Sequence, residues 1–99
     1  MQLEKNRRGR ELRVVLSGEL DHHNAAIIRE EVDRELDGSV KLLTLDMSGI
    51  TFMDSSGIGV VLGRYRRMSE SGKLRIGGMS IYAEKILRMA GVLALLERK

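Results

Sequence analysis

The chain has 99 residues, 17 basic and 14 acidic, with a formal net charge of +3. A chain of this length buries somewhat over ~60% of its unfolded surface, enough for one core, and 42% hydrophobic with 31% charged residues excludes an intrinsically disordered chain. Zero cysteines exclude a disulfide framework and any thiolate metal site, and no apolar run approaches the ~20 residues of a membrane span.

In chain order, Gln2 to Lys5 and Leu12 to Ser17 read as strands, with Leu12, Val14 and Leu16 alternating in the second. Asn6-Arg7-Arg8-Gly9-Arg10 between them suits a hairpin turn. Asp21 or Asn24 can cap the next helix, where Ala25, Ile28, Val32 and Leu36 form an apolar stripe until Gly38 ends it. Val40 to Met47 is nearly all apolar, as a central strand covered on both faces requires. Beyond it, Ile58, Val61, Leu62, Tyr65 and Met68 recur on one helix face, with Arg64 and Arg67 expected on the opposite, wet side. Gly59 and Gly63 share a side of that helix and let its backbone approach a sheet or a partner, at a propensity cost of about 1 kcal/mol each. Lys73 to Ile76 makes another strand, and Ser80 can cap a helix with Ala83, Ile86, Leu87 and Ala90 inward, ended by Gly91.

The order is then ββαβαβα with a last short strand over Val92 to Lys99. Alternating strands and helices on short connections predict an α/β fold, with a mixed sheet built on right-handed crossovers. Three helices suffice to cover one face of such a sheet. No repeat, low-complexity segment or proline-rich linker divides the chain, so residues 1–99 are expected to form a single domain.

The segment with the most chemical content is Phe52-Met53-Asp54-Ser55-Ser56-Gly57-Ile58-Gly59, which joins the apolar strand to the amphipathic helix through small, hydroxyl-bearing residues. A phosphate added at Ser55 would meet the positive end of a helix dipole and its free N–H groups. Other readings of the same residues are weaker. Gly57, Gly59 and Gly63 are spaced G-x-G-x-x-x-G rather than as a dinucleotide loop, and there is no Walker phosphate cradle, so no cofactor is expected. His22 and His23 beside Asp21 read as capping and surface residues rather than a metal site, because neighbouring side chains diverge. Ser55 with a histidine and Asp54 supplies the residue types of a serine hydrolase, but Met53 stands where the nucleophile elbow needs its first glycine. Arg64, Arg66 and Arg67 offer an alternative as a basic nucleic-acid surface, against which stands an aromatic content of 3%.

Two segments together carry a family resemblance. Phe52 to Tyr65, FMDSSGIGVVLGRY, resembles the signature of the STAS-domain anti-sigma factor antagonists, and Gly18-Glu19-Leu20-Asp21-His22-His23 resembles the segment that opens their first helix. The GELDHH form is similar to the sporulation branch of that family. The resemblance implies the STAS fold, a mixed β-sheet with its α-helices packed mainly on one face. It also implies a non-enzymatic switch: the unphosphorylated form binds an anti-sigma factor that is a serine kinase and frees the sigma factor, phosphorylation at Ser55 ends binding, and a serine phosphatase of the metal-dependent type restores it.

Around that switch, Asp21, Met53, Asp54, Ser56, Gly57, Ile58 and Gly59 are expected to form the partner-binding surface. A cytoplasmic monomer is expected, with no nucleic acid, membrane, metal or cofactor as partner. This chain departs from the family in having no proline before its third helix. It also ends where relatives continue, so that their C-terminal helix would be missing if Val92 to Lys99 is a strand.

Overall fold

A computed structural model describes residues 1–97. The elements are β1 (Gln2–Arg8), β2 (Glu11–Leu20), α1 (Ala25–Asp33), β3 (Leu42–Met53), α2 (Ser55–Met68), β4 (Lys73–Met79), α3 (Ile81–Met89) and α4 (Val92–Glu97). They build one four-stranded sheet in the order β1-β2-β3-β4. The β1–β2 pair is an antiparallel hairpin turned at Gly9, while β2–β3 and β3–β4 are parallel. Each parallel pair is bridged by a helix, α1 or α2, as a crossover requires.

Strand alternation sets the two faces of this mixed α/β sheet. Leu12 and Val14 of β2 lie across from Leu43 and Leu45 of β3, which lie across from Leu74 and Ile76 of β4. With Ala25, Ile28 and Val32 of α1, Val60 and Val61 of α2, and Ala83 and Leu87 of α3, these residues form one core. The other face is polar: Arg13 pairs with Asp46 at 2.7 Å, and Arg75 with Glu11 at 3.3 Å. Thr44 is buried there beneath those side chains, donating to Glu11 Oε2.

Four expectations need correction. Val92–Glu97 is a helix, not a short strand, and Val92 and Leu93 bury themselves in the core; Arg98 and Lys99 lie outside the described residues. A positive φ at Gly91 breaks the chain between α3 and α4, so a second helix starts at once and leaves no run to pair with an edge. The inner face of α2 is also rotated from the predicted stripe. Gly57, Val60, Val61, Arg64 and Met68 are buried, whereas Ile58, Leu62 and Tyr65 only flank the core.

Arg64 is therefore inside, not on the wet side. Its Nε lies 3.0 Å from Asp33 Oδ1 on α1, and burial pushes its pKa down while Asp33 opposes that shift. In α3, Ala90 is exposed rather than inward.

Both central strands run further than their apolar patterns. β3 continues through Ser48-Gly49 to Met53 because Asp46 Oδ1 accepts from the amide and the hydroxyl of Ser48, and because register shifts in the β2–β3 pairing absorb the irregularity. Gly49 is required at this point, since a Cβ there would lie 2.8 Å from Ser17 Cβ.

Candidate functional site

The extended strands bring the two distinctive sequence segments side by side. Glu19 pairs with Phe52 and Leu20 with Met53. The amide of Asp54 then donates to Leu20 O at 3.3 Å, which holds the start of α2 against the turn that follows β2. That turn is organised by its own side chains: Asp21 Oδ1 accepts from the His23 amide at 3.0 Å, Asn24 Oδ1 accepts from the Asp21 amide, and Asn24 Nδ2 donates to Glu19 O. Asn24 precedes α1 but makes no side-chain cap bond to it. Its amide group is spent tying the turn together.

Asp54 caps α2. Its backbone is extended and its Oδ1 accepts from the Ser56 amide at 2.8 Å, while its carbonyl accepts from the Gly57 amide at 3.0 Å. The Ser56 amide bond is the main reason that the Asp54 carboxyl sits below the usual carboxylate range, with the backbone and ring of His22 adding to the effect. His22 Nδ1 lies 3.9 Å from Asp54 Oδ2, and the His22 and His23 rings stand 4.0 Å apart.

Ser55 is the first residue of α2, and it is exposed. Its hydroxyl has no hydrogen-bond partner among the described residues. The cap is supplied one position earlier, so the Ser55 Oγ is left free for chemistry or for a partner. The same cap alters the electrostatic expectation. The amides of Ser56 and Gly57 are already taken, and a carboxylate already faces the positive end of the helix, so a phosphate on Ser55 would sit beside a like charge.

The predicted surface residues divide into two groups. Asp21, Asp54, Ser56 and Ile58 are half-buried and Gly59 is exposed, so all five reach the surface. Met53 and Gly57 are buried and act from beneath: a Cβ on Gly57 would lie 2.6 Å from Met53 Cε and 3.1 Å from Leu20 Cδ2. A Cβ at Gly59 or Gly63 would meet nothing within 4 Å, so neither glycine serves close packing within this chain. Phe52, 49% exposed on β3, is a neighbour that the sequence pattern did not put on the surface. The clue was there in retrospect, because it alternates with the buried Met53.

Two alternative chemistries find little support in this geometry. His22 directs its ring at Asp54, and no base is bonded to Ser55 among the described residues. The arginine cluster does not form an open basic stripe, since Arg64 is buried on Asp33, and Arg67 donates to Leu36 O and lies 3.6 Å from the same carboxylate. Among the described residues no group of three metal-ligating side chains converges, and no helix is long and apolar enough to cross a membrane.

A four-stranded mixed sheet of this order with its crossover helices is the frame of an STAS domain. The STAS domain family model matches residues 2–98, and the chain belongs to that family. Within the family it is similar to an anti-sigma F factor antagonist of Paenibacillus polymyxa, 33% identical over 94 residues that cover 93% of this chain and 80% of that protein. It also resembles the solved anti-sigma factor antagonist SpoIIAA in its unphosphorylated form, with a TM-score of 0.81 at 29% identity over 92% of this chain and 82% of the other. The phosphorylated form of the Bacillus cell fate determinant SpoIIAA superposes with a TM-score of 0.74 at 28% identity, over 94% of this chain and 86% of that one. These relatives bear out the family that the paired FMDSSG and GELDHH segments lead one to expect, the anti-sigma factor antagonists.

Proposed function

We propose that this chain is an anti-sigma factor antagonist whose Ser55 is the phosphorylation switch. The observation that carries the reading is the exposed Ser55 at the start of α2, its hydroxyl unused because Asp54 does the capping, beside the Asp21 turn that its sequence segment shares with the family. Unphosphorylated, the surface of Asp21, Asp54, Ser55, Ser56, Ile58 and Gly59 docks an anti-sigma factor in the cytoplasm and frees the sigma factor. Met53 and Gly57 hold that surface in place from below.

The anti-sigma factor is itself the serine kinase. It binds ATP, and the γ-phosphoryl group passes to Ser55 Oγ as the hydroxyl proton leaves and ADP is released, so this chain is a substrate and not an enzyme. The phosphate brings roughly 1.5 to 2 negative charges next to the Asp54 carboxylate. Repulsion turns it outward, into the contact surface, where desolvation and mismatch with groups placed for a neutral hydroxyl oppose binding. No refolding is needed. A metal-dependent serine phosphatase hydrolyses the ester and restores the docking form.

Isothermal titration of the candidate anti-sigma kinase with Ser55→Ala and Ser55→Asp variants tests the scheme. Ser55→Ala is expected to bind as the parent does and Ser55→Asp at least tenfold more weakly; equal affinity of the two would refute the switch.

A further inference from the structure

The histidine pair of the Asp21 turn has no part in the switch as described above. His22 faces it: Nδ1 lies 3.9 Å from Asp54 Oδ2, the backbone amide acts on the same carboxylate, and Nε2 has no partner among the described residues. The His22 side chain is 72% exposed, so Nε2 is open to a further group. The His23 ring stands 4.0 Å away and pairs with no carboxylate among those residues. Residues 18–28 and 50–63, the two stretches that the β2–β3 register joins at this end of the sheet, carry the carboxylates of Glu19, Asp21 and Asp54 and no lysine or arginine. No lysine or arginine from elsewhere pairs with these carboxylates among the described residues, and Arg29, the first cation of α1, acts on Arg64 instead. The two histidines are therefore the side chains of these stretches that can carry positive charge.

A phosphate on Ser55 brings roughly 1.5 to 2 negative charges one residue from Asp54. The amides of Ser56 and Gly57, already held by Asp54, cannot offset that charge without releasing the cap. We propose that His22, as the imidazolium, bridges the Asp54 carboxylate and the Ser55 phosphate, so that phosphorylation draws one proton from solvent onto this ring. Nδ1–H then donates to Asp54 Oδ2 and Nε2–H to a phosphate oxygen. A neutral ring has a single N–H and serves only one of the two anions. His22 is thereby a positioning residue: it takes no part in phosphoryl transfer, but holds the phosphate once it is there and makes the phosphorylated state sensitive to pH. This inference rests on Ser55 as the switch residue.

The test uses protein with phosphoserine installed at position 55 by semisynthesis, so that no kinase is needed. The ³¹P resonance is followed across the pH range in which phosphate and imidazole titrate, in the parent and in His22→Gln, His23→Gln and His22→Lys, each checked for an unchanged amide spectrum. An imidazolium beside the phosphate favours its dianion, so the midpoint in the parent is expected about one pH unit below that in His22→Gln. His23→Gln should follow the parent. His22→Lys, which keeps a cation at this position, should restore most of the lower midpoint. Equal midpoints in the parent and His22→Gln would overturn the proposal, and so would a midpoint that moves with His23→Gln instead. Either result would leave Ser55 as the switch residue intact, because that reading fails separately, when the anti-sigma kinase puts its phosphate on another residue.

Discussion

Two helices of this protein begin at a serine, and the two serines do different work. At α3, Ser80 is the cap itself: its backbone is extended and its Oγ accepts from the Ala83 amide at 3.1 Å. At α2, the cap is Asp54, and Ser55 stands one residue inside the helix with an exposed hydroxyl. A hydroxyl committed to a helix amide is part of the fold, whereas one released by a neighbouring carboxylate is available to a kinase. A shift of one position between cap and serine therefore separates a structural serine from the one proposed here as the switch.

The largest expected difference between the two is chemical. After incubation with the anti-sigma kinase and ATP, Ser55→Ala should take up no phosphate by intact mass, while Ser80→Ala should take up as much as the parent. Next in size is the packing beneath the switch. Gly57→Ala places a methyl within 2.6 Å of Met53 Cε, and the displaced Met53 and Leu20 side chains should lower stability by about 2 kcal/mol, read from urea unfolding.

The caps come third. Ser80→Ala and Asp54→Ala should each cost about 1 kcal/mol, while Ser55→Ala should stay within about 0.5 kcal/mol of the parent. A loss at Ser55 equal to that at Ser80 would break the distinction between them. The smallest effect is a pH dependence unique to the α2 cap. The Asp54 carboxyl is lowered in the folded protein, so its contribution is present above the ordinary carboxylate pKa and fades as pH falls through the depressed value. Asp54→Asn should make the stability profile shallower across that acidic window, where Glu31, Asp37 and Asp46 are lowered as well, and Ser80→Ala should leave its slope unchanged.

Much of this arrangement was legible in the chain. The hairpin, the apolar centre of β3, the Ser80 cap and the serine turn all announce themselves through local patterns, and local hydrogen bonds hold them in the structure. What periodicity misjudged depends on tertiary partners. Arg64 looks solvent-facing until Asp33 of α1 supplies a carboxylate at 3.0 Å to receive it inside. Val92–Glu97 has the short apolar run that suits a buried strand or a helix alike; Gly91 and the core decide for the helix.

The site was read from two segments well separated along the chain, and only the register of β2 on β3 shows why they belong together. Leu20 faces Met53, so the Asp21 turn reaches the Asp54 cap. The full reach of both strands was hidden by Ser48-Gly49 and Gly18, residues that elsewhere end a strand and here sit in bulged pairing.

The most direct measurement is phosphate-site mapping by fragmentation mass spectrometry, after the parent protein has been incubated with its anti-sigma kinase and ATP. The account predicts one phosphate per chain, carried on Ser55 with Ser56 and Ser80 unmodified. A phosphate on Ser56 or Ser80, or none on Ser55 while the partner is bound and active, would contradict it.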